Sequence, residues 1–182
     1  MSRIAKITTE TANNEQGALL SAIKGKLGMV PNFLAVLAQS PAALTSFLGL
    51  HEIAGAGALD AHTRERIAIA LADRNSCQYC LSAHTAIGRK TGLTDADMTA
   101  NRSGGSTDER AAAAVAFALA LSEHKGALTE AEFNAVRDAG YSDAEIVEIV
   151  VHVGMNLLTN ILAKSTEVDI DFPKVALTAR AA

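Results

Sequence analysis

Helix boundary signals are the feature of this sequence that most restricts its fold. Thr129 with Glu132, and Ser142 with Glu145, have the spacing of a capping box, in which side chain and backbone exchange hydrogen bonds across the first helical turn. Many apolar runs are dominated by alanine, and aromatic residues make up only 4% of the chain, which disfavours a β-sandwich. The sequence therefore predicts an all-α fold.

Gly, Pro and capping residues divide the chain into eight to nine predicted helices with short connections. The predicted segments are 14–26, 31–37, 41–54, 61–74, 77–90, 94–101, 108–125, 129–138 and 142–164. Ser76 is the predicted N-cap of the fifth helix, and Ser106 or Thr107 that of the seventh. No long linker separates two halves, so residues 1–182 are predicted to form a single domain. The tail, 167–182, is expected to lie extended over the surface or against a neighbour.

Charge and hydropathy make several partners unlikely on physical grounds. The net charge of −4 comes from 20 acidic and 16 basic residues that are scattered along the chain, and no Lys/Arg block could neutralise a row of phosphates. We therefore expect no nucleic-acid partner. The first 15 residues lack the apolar stretch of a secretory signal, and no run approaches the roughly 20 apolar residues that span a bilayer. These features predict no membrane partner and a cytoplasmic location.

The two cysteines form a Cys-x-x-Cys pair, Cys77 and Cys80, at the predicted start of a helix. The loop that they would close is too short to stabilise a fold, so their purpose is predicted to be chemical. A helix N-terminus lowers the pKa of a thiol by offering unpaired amides and positive potential. His84 follows on the same helical face and could accept or relay a proton, with Glu65 of the preceding helix as the candidate that orients it.

Other polar residues admit two interpretations each. Tyr79 is either a packing residue or part of the lining of a pocket beside the thiols. His152, Asn156 and Asn160 recur every four residues on an otherwise apolar helix. This stripe predicts a hydrogen-bonded seam between helices or subunits, or else a lining of the redox pocket.

Glu65, eleven residues, Cys77-x-x-Cys80, three residues and His84 together resemble the signature of alkylhydroperoxidase D, in the carboxymuconolactone decarboxylase superfamily. The similarity is clearest over residues 60–92, the predicted redox core, and the segment 29–33 resembles the peroxidase-related branch of the same superfamily. The best-known members have a histidine between the cysteines, where this chain has Tyr79.

The resemblance implies an all-helical, AhpD-like protein that forms trimers or hexamers and reduces hydroperoxides as an antioxidant. It implies that Cys80 attacks the peroxide, that Cys77 resolves the product to a disulfide, and that Glu65 and His84 relay the proton. An external dithiol or a lipoyl group would then restore the thiols. No metal or organic cofactor is implied.

Three alternatives stay open at the level of sequence. Cys77, Cys80 and His84 could be zinc ligands with Glu65 or His62 as the fourth. The protein could be a thiol–disulfide oxidoreductase that acts on a protein or lipoyl partner. It could also be a helical module that senses oxidation without turnover.

Overall fold

A computed structural model describes residues 2–178, and these residues form an all-α fold. The helices are α1 (Asn14–Leu27), α2 (Asn32–Leu37), α3 (Pro41–Gly55), α4 (Ala61–Arg74), α5 (Gln78–Thr91), α6 (Asp95–Arg102), α7 (Glu109–Glu123), α8 (Glu130–Asp138) and α9 (Asp143–Ser165). Nine helices within the described residues agree with the prediction of eight to nine.

The helix caps confirm some of the predicted helix boundaries and contradict others. The capping boxes that begin α8 and α9 are both formed, as predicted. The predicted N-cap of α7 is wrong, because the Asp108 carboxylate, and not a hydroxyl of Ser106 or Thr107, accepts from the first-turn amide of Ala111. A carboxylate there also interacts favourably with the positive end of the helix dipole.

Helix α4 lies between two apolar clusters and is the central helix of the fold. Ile69 and Ala72 contribute to a cluster formed with α1, α2, α3, α5 and the tail. Ile67, Ala70 and Leu71 contribute to a second cluster with α7, α8 and α9. Because the helix is buried on most of its circumference, the polar side chains at its amino-terminal end are held in fixed positions.

The loop that leads into α4 is fixed by a carboxylate of α9. Glu148 accepts hydrogen bonds from the backbone amides of Ala58 and Leu59, at 2.9 and 2.6 Å. A side chain at Gly57 would place its Cβ 2.5 Å from the same carboxylate, so Glu148 would have to move away from these amides. The start of α4, which carries Glu65, is thereby anchored to α9.

Helix α9 is 23 residues long, with a mean hydropathy of 1.7 over its most apolar window, and by length and composition alone it could cross a membrane. The expectation that no run is long and apolar enough to span a bilayer is therefore wrong for α9 by these two measures. The helix packs against α3, α4, α5 and α7 on one side and buries polar residues there, and 39% of its most apolar window is buried.

The tail follows α9 without forming a helix, and residues 179–182 of the predicted tail lie outside the described part. Phe172 packs edge-on against Tyr79, with ring centroids 5.8 Å apart. The backbone of Val175 accepts from the Gln78 amide and donates to the Ser82 hydroxyl, at 3.1 Å in both cases. The tail thus lies along α5, next to the Cys-x-x-Cys segment.

Candidate functional site

A three-residue turn between α4 and α5 sets the position of the cysteines. The amide of Cys77 donates to the Ala72 carbonyl at 2.9 Å, and Ser76 has a left-handed backbone, with φ of 55°. The predicted N-cap at Ser76 is wrong, because a residue in this conformation does not present its side chain to the following helix as a cap does. Cys77 is the N-cap instead, and its Sγ accepts from the amide of Cys80 at 3.3 Å.

Cys77 and Cys80 are joined by a disulfide, and their Cα atoms lie 5.3 Å apart. They are 1% and 4% exposed, so both sulfurs lie almost entirely beneath the surface. Sulfur in a disulfide carries no negative charge to offer a zinc ion. His62, proposed as a possible zinc ligand, contacts the carbonyl of Thr91 at the far end of α5. Within residues 2–178, no three His, Cys, Asp or Glu side chains are grouped closely enough to hold a metal.

The side chain of His84 meets that of Glu65, which approaches from α4. His84 Nδ1 lies 2.9 Å from Glu65 Oε2, and the two side chains are 23% and 16% exposed. This contact leaves Nε2 as the ring nitrogen that can exchange a proton elsewhere. His84 lies one helical turn after Cys80 on the same face of α5 and carries the contact with Glu65.

Tyr79 is a packing residue that also lines a depression beside Cys77. Its ring stacks against Phe33, and its hydroxyl accepts from the backbone amide of Phe33 at 3.2 Å. Burial, with a further contribution from the Asp171 carboxylate, raises the pKa of Tyr79 well above its usual range. Tyr79 therefore cannot act as a base near neutral pH.

The polar stripe of α9 forms hydrogen bonds inside the chain. His152 Nε2 lies 3.3 Å from the carbonyl of Ala54 in α3, and the Asn156 amide donates to the carbonyl of His152. The Asn160 side chain accepts from the Asn75 amide at 2.9 Å, which joins α9 to the turn before Cys77. Neither His152 nor Asn156 lines the depression beside Cys77. The contacts of His152 and Asn160 correspond to the predicted seam, whereas that of Asn156 stays within α9.

The sequence pattern did not single out His51 of α3. Crowding by surrounding atoms lowers its pKa, and the neighbouring charges of His84 and Arg64 act in the same direction, whereas Glu65 opposes them. His51 is thus close enough to the Glu65–His84 pair to sense its charge. Only the packing of α3 against the other helices brings it there, and no local spacing in the sequence signals that arrangement.

Part of the chain matches the model of a known protein family. Residues 41–123 match the family model of carboxymuconolactone decarboxylase. The matched segment runs from the start of α3 to the end of α7 and contains Glu65, Cys77, Cys80 and His84. No curated protein sequence is significantly similar to the chain.

Several solved structures share the fold. The AhpD-core, peroxidase-related protein from Ralstonia eutropha JMP134 is 24% identical, with a TM-score of 0.84 over 93% of this chain and 92% of that one. A peroxidase-related protein from Silicibacter sp. TM1040 is also 24% identical, with a TM-score of 0.78 over 96% and 92%. The debrominase Bmp8, solved with 2,3,4-tribromopyrrole, is 19% identical, with a TM-score of 0.77 over 94% and 92%. The resemblance found in the sequence and the AhpD-like fold are both confirmed.

Proposed function

Because residues 41–123 match the carboxymuconolactone decarboxylase family and the whole fold is AhpD-like, we propose that the protein is a thiol peroxidase of the alkylhydroperoxidase type. Its substrate is hydrogen peroxide or a small organic hydroperoxide, since both sulfurs are nearly buried and a compact substrate reaches them most easily. The observation that carries the proposal is the Glu65–His84 hydrogen bond, one turn from a disulfide between Cys77 and Cys80.

The cycle begins from the reduced pair. His84, oriented by Glu65, takes the proton of Cys80, and the thiolate attacks the peroxide oxygen. The O–O bond breaks, the alkoxide leaves as the alcohol with the proton from His84, and Cys80 becomes a sulfenic acid. Cys77 then attacks the sulfur of Cys80, water leaves, and the disulfide forms. Two thiols and one hydroperoxide give a disulfide, an alcohol and water, and an external dithiol returns the two electrons.

The proposal is tested by stopped-flow oxidation of the reduced protein with cumene hydroperoxide, with thiol counting after the reaction. Cys80→Ser is expected to abolish rapid peroxide loss. Glu52→Gln, which changes an exposed carboxylate of α3, should react like the unaltered protein. Equal peroxide consumption by the unaltered protein and Cys80→Ser would contradict the proposal.

A thiol–disulfide oxidoreductase that acts on a protein or lipoyl partner is the nearest rival. The depression beside Cys77 favours it, because a dithiol could reach the disulfide there. This rival predicts slow oxidation by peroxide and fast exchange with a dithiol, so comparison of the two rate constants separates them. A redox-sensing module would show oxidation of the cysteines, as a mass change, without turnover.

Debromination is a second candidate activity, because one protein of the same fold is a debrominase solved with 2,3,4-tribromopyrrole. Incubation of the reduced protein with this compound and a dithiol, followed by bromide measurement, tests it. Bromide release that Cys80→Ser lacks would support the candidate, and no release would remove it.

We also propose that the chain is a homo-oligomer, as a trimer or hexamer, through one face of α9. Val147, Val150, Val151, Leu158 and Ile161 are exposed on this face. An apolar stripe along a whole helix is unusual on a monomer, and a second copy of the same chain is the commonest occupant. Size-exclusion chromatography with light scattering should show an oligomer that Val150→Asp dissociates, and a monomeric unaltered protein would contradict this proposal.

A further inference from the structure

A second depression lies where the end of α4 and the turn that follows it meet the end of α9. This Asn160 depression encloses about 560 Å³, and its lining includes Arg74, Leu157, Asn160, Ile161 and Lys164. A volume of this size is in the range of small-molecule sites. Neither cysteine lines the depression, and neither do Glu65 and His84. It is therefore separate from the site of the proposed redox cycle.

The lining of the Asn160 depression contains a buried hydrogen-bonding group. Asn160 is 1% exposed, and its side-chain oxygen accepts from the Asn75 amide at 2.9 Å. Its nitrogen, Nδ2, has no hydrogen-bond partner in the described part of the chain. A buried N–H donor without an acceptor costs free energy, and an acceptor oxygen placed in the depression would remove that cost. Asn160 therefore favours a ligand that carries such an oxygen.

Two cationic side chains line the same depression. Lys164 Nζ donates to the carbonyl of Asn75 at 2.6 Å, and an ammonium has two further N–H donors for another acceptor. The Arg74 guanidinium lies 3.8 Å from the Glu123 carboxylate, and both side chains are exposed. An exposed pair at this separation contributes little energy, and the five N–H donors of a guanidinium allow it to serve a second acceptor. The charges and the donors together indicate an anionic ligand.

The lining also offers apolar surface. Leu157 and Ile161 lie on successive turns of α9, just before Lys164, and Ile161 is 65% exposed. An inorganic anion would leave this surface in contact with water, whereas an aliphatic chain would cover it. Ile161 is also the last residue of the apolar α9 face proposed above to contact a second copy, so the depression begins where that face ends.

We propose that the Asn160 depression binds a carboxylate that carries a short aliphatic chain. The carboxylate oxygens accept hydrogen bonds from Asn160 Nδ2, Arg74 and Lys164, and the chain lies along Leu157 and Ile161. Binding here does not depend on the proposed peroxidase activity, because none of these side chains takes part in the redox cycle.

Isothermal titration calorimetry of the full, oxidised chain with hexanoate tests the ligand class. We expect saturable binding with one site per chain. Hexanamide has a similar chain without the charge, and acetate has the charge without the long chain. Each should bind at least about tenfold more weakly, since each lacks one half of the interaction. No saturable binding of hexanoate, or equal affinity for hexanoate and hexanamide, would overturn the proposal.

Charge variants test the location of the site. Arg74→Gln and Lys164→Gln should each weaken hexanoate binding about tenfold, because a charge-assisted hydrogen bond is lost. Glu123→Gln should strengthen it about threefold, because the carboxylate that competes for Arg74 is removed. The matched control Lys24→Gln, on an exposed part of α1, should bind like the unaltered protein. Melting temperatures check that each variant is folded. Affinities of the Arg74 and Lys164 variants equal to that of the control would overturn the proposal.

Discussion

Two neighbouring residues of α4 each pair with a side chain of another helix, and each pair contains one carboxylate. Glu65 lies 2.9 Å from His84, and Arg66 lies 3.2 Å from Asp97 of α6. Both pairs are largely shielded from water, and they lie one residue apart on the same helix. The chemical difference is in how many hydrogen bonds each carboxylate accepts.

The oxygens of Asp97 are all occupied. Oδ1 accepts from Arg66 and from the hydroxyl of Thr107, and Oδ2 accepts from the amide and the hydroxyl of Thr94. These hydrogen bonds, led by that of Thr107, hold the pKa of Asp97 well below its usual range. Its hydrogen bonds connect α4, α6 and the loop before α7. Such a group stabilises the fold and cannot exchange protons near neutral pH.

Glu65 makes one hydrogen bond among the described residues, and its partner is the imidazole of His84, a ring that can both accept and donate a proton. The pair therefore keeps the capacity to change its protonation during a reaction. A carboxylate with a full set of partners indicates a structural role, and one that faces a single imidazole indicates a role in proton transfer.

Glu65→Gln is expected to have the largest effect on the rate with hydroperoxide. The amide cannot stabilise the positive charge of an imidazolium, so the rate of the reduced protein with cumene hydroperoxide should fall by about 10² or more. The melting temperature should change little, since one partly exposed hydrogen bond is altered. The matched variant Asp97→Asn should keep most of its rate. A Glu65→Gln protein with full activity would remove Glu65 from the relay.

Asp97→Asn should have the larger effect on stability. An amide offers one acceptor oxygen in place of two, and its NH₂ group would face the donors of Thr94 or of Arg66 and Thr107. We expect a loss of about 2 kcal/mol in the free energy of unfolding, since buried donors lose their partners. This corresponds to a fall of roughly 4 to 8 °C in melting temperature for a chain of this size. An unchanged urea midpoint would show that Asp97 is not the structural member of the comparison.

The stability that Asp97 contributes to the fold should depend on pH. A carboxyl whose pKa is lowered by folding adds stability above its unfolded value, near 3.9, and loses it as the pH falls toward the folded value. The difference in the free energy of unfolding between the unaltered protein and Asp97→Asn should therefore be largest at pH 7 and become smaller below about pH 4. Urea unfolding at pH 7 and pH 3.5 measures it. A gap of equal size at both values would contradict the assignment.

The sequence predicted local features well and tertiary features poorly. The spacing of Cys77, Cys80 and His84 needs only one helix, and the all-α prediction followed from caps and composition. The resemblance brought Glu65 into the site, since nothing in α4 itself distinguishes Glu65 from its neighbours. His51 comes to the Glu65–His84 pair from α3, and the depression beside Cys77 forms where the end of α9 and the tail meet the start of α5. Contacts between segments far apart in sequence have no local periodicity to reveal them.

The smallest expected effect is that of Tyr79→Phe. Tyr79 resembles Asp97, and not Glu65, because its polar group has a structural partner. Its hydroxyl is committed to the amide of Phe33, and burial keeps it protonated. Tyr79→Phe leaves that amide without its partner but keeps the ring contacts with Phe33 and Phe172, so we expect a loss of about 1 kcal/mol in stability. The rate with hydroperoxide should stay within about threefold, because a phenol that does not titrate contributes little to general acid–base catalysis. The rate with hydroperoxide and the urea midpoint of Tyr79→Phe, each compared with those of the unaltered protein, test both expectations. A large loss of rate with normal stability would show that Tyr79 takes part in the chemistry of the neighbouring cysteines.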